Sequence, residues 1–481
     1  MNNLFPDTYA SYGLSESPFL VLPLRPDARG KRLLVGRDDE IRLVATKLHK
    51  HGKITCIDGQ LGVGKTSLVN VAAYECYQLF LEGKTSQLLI PMPEAFALNK
   101  DEGVEAFCAR VFRKVAQTLL NYRSELEHFE GSDSVATKLA PWLNSPFVQH
   151  LNGTLGIQAT VGAPGVFSAG VKADSSTATQ INTSSGFNDH GFEQAVRGWL
   201  DQIFSVQGNG GVVCVIDNLE LLETSTNAKR TLEALRDRLF TVNGLRWVFC
   251  GANGVIRSLA ASPRLAAYLD SPVLELKHVA PASIAPLFNA RLDEFSMNPD
   301  ERATLPITFD DLQRLYMIMN FNLRDLLSAA DQYCEYLGSL GVRPMDENSK
   351  SKRLTKWLDN VSTKEYRALS SRLPNEGWCI LDIAMSDDYK GTFGVGDYGS
   401  FNSNSKVALT TSVFNRRLRD LVKLGLITKT LDDDADIDGE GEFQRDVFVV
   451  TSKGALVHYA RLIAHETLGI KPTTWLKRVQ V

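Results

Sequence analysis

The segment Gly59-Gln60-Leu61-Gly62-Val63-Gly64-Lys65-Thr66 matches the pattern G-x-x-x-x-G-K-S/T at every fixed position. No other stretch constrains the fold as strongly, because such a loop works only between a buried strand and a helix N-terminus. There, backbone N–H groups and the positive helix end converge on phosphate. The flanks supply both partners. Lys53–Asp58 reads as a short buried strand, and Ser67–Tyr74 has the apolar spacing of a helix packed on a sheet. The motif predicts a purine nucleoside triphosphate, ATP, held with Mg²⁺. Gly59, Gly62 and Gly64 let the backbone approach the phosphates, and Lys65 meets the β- and γ-phosphate charge. The Thr66 hydroxyl is placed to ligate Mg²⁺, with Ser67 beside it at the helix start.

A second element must bring an acid to the metal. Gly211–Asp217 is an almost continuous apolar run closed by Asp217, which predicts a strand whose C-terminal end carries that carboxylate. Asn218 follows directly and cannot act as a base. Glu220 is the nearest carboxylate after Asp217. It is a candidate to orient the attacking water, and equally an acid favoured at a helix start. Helix-like stretches at 191–206 and 226–240 alternate with this strand and with Leu245–Gly251. That alternation predicts an α/β P-loop NTPase fold, a parallel sheet with helices on both faces.

Bulk properties narrow the class. At 481 residues the chain predicts two or three domains, and its 44% hydrophobic and 22% charged residues suit a soluble globular protein. A formal net charge of -4 gives no global footprint for nucleic acid, so any such surface must be local. The seven cysteines are scattered without a C-x-x-C pair, which suits a reducing cytosol. No apolar run reaches membrane-spanning length, so no membrane partner is expected and the protein reads as cytoplasmic. The organisation expected is an N-terminal arm over 1–30 lying on the first domain, then a P-loop core over 31–281. A helical lid follows over 282–345 and a small C-terminal domain over 353–481, after a polar break at 345–352. Within the core, residues 152–187 are rich in Gly, Ser, Thr and Ala. Alternation at 155–161 and 167–173 about Pro164-Gly165 reads as a β-hairpin insertion that would contact a neighbouring copy, with a linker as the alternative.

With those residues in view, the chain resembles AAA+ ATPases of the origin-recognition/initiator type and the related STAND signalling ATPases. Val35-Gly36-Arg37-Asp38-Asp39-Glu40 resembles the "GR-x-x-E" box, whose Gly36 and Arg37 would line the adenine side. Val248–Asn253 resembles a sensor-1 strand with Asn253 near the γ-phosphate. Ser262-Pro263-Arg264 resembles an arginine-finger position, Arg264 completing a neighbour's site, and Asn320–Leu327 resembles a sensor-2 helix with Arg324 reaching from the lid. One departure stands out: replicative and remodelling members place Glu directly after the strand-ending Asp, where this chain has Asn218. The Asp-x-x-Glu spacing is closer to switch-type STAND proteins and implies slow hydrolysis, with nucleotide controlling assembly into a homo-oligomer.

The C-terminal region carries a helix at Trp378–Ala384, helical periodicity over Val407–Leu424, and strand patterns at 424–427 and 446–451. It resembles a winged helix domain. Lys406, Arg416, Arg417, Arg419 and Lys423 would give its second helix a basic face for double-stranded DNA. The segment 432–442 argues against DNA there, since it holds seven acids and no base. Two functions follow: a nucleotide-controlled oligomer acting on DNA, or a STAND-like signalling or defence switch whose winged helix docks protein. No effector chemistry is recognisable, so a separate effector partner is implied. A small-molecule kinase would leave the lid and C-terminal domain unexplained.

Overall fold

The computed structural model describes residues 8–99, 102–126, 189–204, 210–222, 225–252, 254–260, 262–298, 300, 303–341, 345–405, 407–431 and 446–467. The expected insertion at 152–187 lies outside them.

Strand β4, Gly210–Asp217, is buried along all but its last residue. Its side chains divide with the period of a strand: Val212, Cys214 and Ile216 join one apolar cluster, Val213 and Val215 another. Both faces are therefore covered, which is why the sequence reads as a continuous apolar run. The sheet also contains β1 (Thr55–Asp58), β2 (Leu88–Pro91), β3 (Phe96–Ala97), β5 (Leu245–Gly251) and β6 (Leu274–Glu275). Its order is β2-β4-β5-β1-β6, all parallel, with β3 pairing along the end of β4. Helices α1 (Asp38–Leu48) and α2 (Lys65–Leu81) cover one face. Helices α3 (Val104–Asn121), α4 (Asp189–Phe204) and α5 (Ser225–Leu235) cover the other, with Phe112, Trp199 and Leu232 at its centre. This is the α/β P-loop NTPase arrangement expected from the sequence, a parallel sheet between two helix layers.

Register sets the site. Ile57 and Asp58 pair with Cys250 and Gly251, while Ile216 pairs with Phe249. The C-terminal ends of β1, β5 and β4 thus finish nearly level, and the loops that follow share one edge of the sheet.

Three helices form the lid: α6 (Ile284–Phe295), α7 (Phe309–Ile318) and α8 (Leu323–Ser339). Thr308 caps α7 by accepting from Asp311 N, and Asn322 caps α8 by accepting from Asp325 N. The arm corrects one expectation. Instead of lying mainly on the P-loop sheet, it buries Tyr12, Leu14 and Phe19 in the lid cluster, with Phe19 5.5 Å from Phe288 between ring centroids. Three short helices cannot enclose their own core, and these side chains fill the opening. Among the described residues, the end of the arm reaches the sheet domain, where Leu24 meets Ser67 and Asn70 of α2.

The remainder contains α9 (Glu347–Ser370), α10 (Asn375–Ala384), β7 (Thr392–Gly394), α11 (Tyr398–Asn404), α12 (Thr411–Lys423), β8 (Ile427–Leu431), β9 (Asp446–Val450) and α13 (Ser452–Thr467). The strands form an antiparallel sheet in the order β7-β9-β8; β7 is a strand the sequence pattern does not announce. Phe393, Phe401, Phe414, Leu418 and Phe448 centre its core. The polar stretch 345–352 contains the start of α9, capped by Asp346. Leu354, Trp357 and Leu358 of α9 and Tyr459 and Leu462 of α13 join the lid cluster, so this unit is packed on the lid.

Candidate functional site

The P-loop leaves β1 at Asp58 and enters α2 at Lys65. Gly62 and Gly64 sit at φ 83° and 94°, the left-handed region that glycine reaches without a Cβ penalty. A Cβ at Gly64 would meet nothing within 4 Å, so the loop curves around open space at the helix N-terminus. That concavity, bounded by backbone N–H groups, is what a phosphate group needs. Lys65 Nζ donates to the carbonyls of Gly59 (2.8 Å) and Gln60 (3.1 Å), which holds its ammonium over the loop.

Thr66 and Asp217 meet. The Thr66 hydroxyl donates to the Asp217 carboxylate across the strand that separates β1 from β4. A hydroxyl and a carboxylate side by side at a phosphate loop are the oxygen donors that fit Mg²⁺. Asn218 takes φ 58°, turning the chain sharply so that its N–H donates to Asp217 Oδ1 at 2.8 Å. Glu220 turns back toward β5: its Oε2 accepts from Ala252 N at 3.0 Å, while Oε1 is buried without a hydrogen-bond partner among the described residues. Burial raises its pKa above the usual carboxylate range, and Asp217 adds to the rise while Lys65 opposes it.

Lid and arm close the other sides. Arg324, in the first turn of α8, lines the cleft above the P-loop. Beside it, Asn322 Nδ2 donates to Leu61 O at 3.1 Å. Gly36 lies against Ser283 where the chain approaches the lid. Arg37 is only 3% exposed. Its guanidinium pairs with Glu40 at 2.8 Å and donates to Lys277 O (2.6 Å) and Val63 O (3.4 Å). It therefore ties α1, the P-loop and the lid connection together, and borders the cleft as a brace. Ser67 lines the cleft as well, and its Oγ accepts from Leu24 N at 3.0 Å, which holds the arm there.

Sequence reasoning missed two contributors to the cleft. The arm residues Leu20–Leu24 form an apolar wall opposite Val35, Leu287 and Leu327. The run Phe19–Leu24 is the signal that could have found them, an apolar stretch with no helix or strand period. Arg291 of α6 is 6% exposed and lines the same cleft. It donates to Pro18 O at 2.5 Å and reaches Leu20 O at 3.5 Å, and its Nε is buried without a partner among the described residues. Burial lowers its pKa to about 10, which leaves it charged at neutral pH. No local pattern marks it.

Other expected residues fall elsewhere. Asn253 lies outside the described residues. Arg264 is exposed on the short helix Pro263–Ala266 and does not line this cleft. On α12, Arg416, Arg419 and Lys423 are exposed along one face. Arg417 corrects the expected basic face: it turns inward to Asp420 (2.6 Å) and Glu376 (3.7 Å), whose carboxylates offset its charge. Lys406 and the acidic segment 432–442 lie outside the described residues.

No family model and no curated protein matches the chain. Among solved structures it is similar to the Aeropyrum pernix ORC2 protein in its ADPNP–ADP complexes. The two share 11% identity over 95% of this chain and 100% of that one, with a TM-score of 0.44. It is also similar to the Aeropyrum pernix ORC1 protein in complex with DNA, at 11% identity over 94% of this chain and 98% of that one, with a TM-score of 0.42. A third likeness is to a Walker-type ATPase of Pyrococcus abyssi, at 13% identity over 92% and 99% of the two chains, with a TM-score of 0.40. The fold itself is carried by this chain's own strand order and P-loop.

Proposed function

We propose that the chain binds ATP with Mg²⁺ between the sheet edge and the lid, turns it over slowly, and uses nucleotide to control assembly on DNA. One observation carries the reading: the Thr66 hydroxyl, from the first turn of α2, and the Asp217 carboxylate, from the end of β4, meet beside the open curve of the P-loop. The loop N–H groups and Lys65 would bind the phosphates, and Thr66 and Asp217 would hold Mg²⁺. The metal, when bound, neutralises phosphate charge. Leu20–Leu24 and Val35 offer apolar surface for the base, and Arg324 places a cation on the lid side.

Slow turnover follows from the acids. Asn218 stands where a general base would be, and Glu220 is anchored to Ala252 N–H. Glu220 can still accept hydrogen bonds through Oε1, so its role is to orient water. The DNA reading takes the unit α10-β7-α11-α12-β8-β9 as a winged helix. In it α12 would present Arg416, Arg419 and Lys423 to phosphates. A second reading, a STAND-like switch docking protein, is favoured by the packing of α9 and α13 on the lid, which links this unit to the nucleotide site without DNA.

The test is calorimetric ATP titration followed by size analysis with ADP, ATP or a non-hydrolysable analogue, each with and without duplex DNA. ATP binding should vanish in Lys65→Ala, and assembly with it. Assembly that survives intact in Lys65→Ala removes the switch. Assembly indifferent to duplex moves the function to the second reading.

A further inference from the structure

We propose that the turn Met319–Asn322 is a relay that positions the tip of the P-loop and ties it to the C-terminal unit. The proposal rests on the nucleotide reading above and adds a residue set and a regulatory partner to it.

The turn is built against local preference. Asn320 and Phe321 are consecutive non-glycine residues at positive φ, 51° and 59°. Asparagine tolerates that region, whereas phenylalanine rarely enters it, so tertiary contacts must hold the turn. They are present. The Phe321 ring packs edge-on against Tyr316 at 5.6 Å and lies 6.1 Å from His278. Its N–H donates to Tyr316 O at 2.9 Å.

The two ends of this turn touch different parts of the molecule. At one end, Asn322 Nδ2 donates to Leu61 O, while its Oδ1 caps α8 through Asp325 N at 3.2 Å. The same Oδ1 lies 2.3 Å from where a Cβ on Gly62 would be, so the carboxamide sits directly on the P-loop backbone. At the other end, Asn320 Nδ2 donates to Val450 O, the last residue of β9, at 2.6 Å. Ser452 Oγ, at the start of α13, donates to Met319 O at 2.8 Å. Asn320 does not line the nucleotide cleft. It lines a second cleft between the P-loop tip and the β8–β9 strands, together with Gln60, Thr428, Thr430 and Thr451. Leu61 and Arg324 border both clefts.

A turn fixed at both ends transmits displacement rather than absorbing it, because its backbone has few alternative conformations. Contact with β9 therefore helps to hold Asn322 on Leu61, and with it the loop shape that receives phosphate. Linkage makes the effect reciprocal: if the β9 contact favours nucleotide, nucleotide must favour the β9 contact.

Asn320→Gly separates this relay from ordinary folding, since glycine keeps the positive φ while removing the carboxamide that bonds Val450 O and lies against Gly391. ATP affinity by calorimetry should fall about fivefold, the worth of one neutral hydrogen bond, although the residue lies outside the nucleotide cleft. In the wild-type chain ATP should slow amide exchange at 450–452, and in Asn322→Ala it should not. Unchanged affinity in Asn320→Gly, or exchange at 450–452 indifferent to ATP in the wild-type chain, overturns the relay. A wild-type chain that binds no ATP instead removes the nucleotide reading on which it rests.

Discussion

Two alanine substitutions in one loop, compared without nucleotide, test how firmly the lid is seated on the P-loop. Gly62 and Gly64 have similar left-handed φ angles, 83° and 94°. A side chain in that region costs about 1–2 kcal/mol from the backbone alone. At Gly64 nothing lies within 4 Å of the added Cβ, so Gly64→Ala should cost only that amount. At Gly62 the Cβ would fall 2.3 Å from Asn322 Oδ1 and 3.0 Å from Arg324 Cβ. Neither atom ends a long flexible chain, so the start of α8 must withdraw. Withdrawal breaks the Asn322–Leu61 bond, about 1 kcal/mol, and strains the Asn322 cap, about 1 kcal/mol more. Gly62→Ala should therefore cost about 3–4 kcal/mol, roughly twice the other variant. Denaturant unfolding followed by tryptophan fluorescence measures both. Limited proteolysis of the lid should also quicken in Gly62→Ala alone. Equal midpoints and equal proteolysis would show that the lid does not rest on the loop. Added ATP should reverse the ranking for binding, because the Gly64 Cβ enters the space assigned to phosphate.

The other expectations are briefer. Glu220→Gln should retain ATP binding and lose most hydrolysis, read by phosphate release; unaltered turnover would return Glu220 to a structural role. Arg291→Met frees the carbonyls of Pro18 and Leu20, at a cost of about 1–3 kcal/mol. Cleavage within 18–24 should accelerate and ATP affinity should drop, and an arm that stays protected would refute the pinning. Burial alone would raise the Asp382 carboxyl, but His458 (2.9 Å) and Arg461 (2.8 Å) outweigh it and hold it at about 2. Because the folded value lies below the 3.8 of an unperturbed aspartate, its stabilisation is full above that pH and lost as pH falls toward about 2. The thermal-midpoint gap between wild type and Asp382→Asn should close over that window. Arg416→Ala with Arg419→Ala should lower the salt slope of duplex binding by about 2; an unchanged slope would point to protein docking.

What could be read from the sequence was whatever local pattern dictates. The P-loop needs glycines at fixed offsets, and β4 needs apolar side chains on both faces, so Gly59–Thr66 and Asp217 stand out without any fold. Their meeting follows from parallel strands ending level. The arm was harder, because Tyr12, Leu14 and Phe19 belong to a core whose other members come from the lid and from α9 and α13. The inward turn of Arg417 was illegible for a related reason: Glu376, on α10, is brought to it only by tertiary packing. The place of Arg291 in the cleft was hidden too, since its partners are backbone carbonyls of a distant segment.

The lid cluster has a consequence for the order in which the protein can mature. Its walls come from opposite ends of the sequence, Tyr12, Leu14 and Phe19 from the arm and Tyr459 and Leu462 from α13. A ribosome releases the P-loop sheet complete well before it releases α13. Until then the lid helices stand with one side uncovered, and the Asn320 amide has no Val450 carbonyl to meet. Nascent chains shorter than α13 should thus hold a folded sheet beneath an unfinished lid, so chaperone demand is expected late in synthesis and at this one surface.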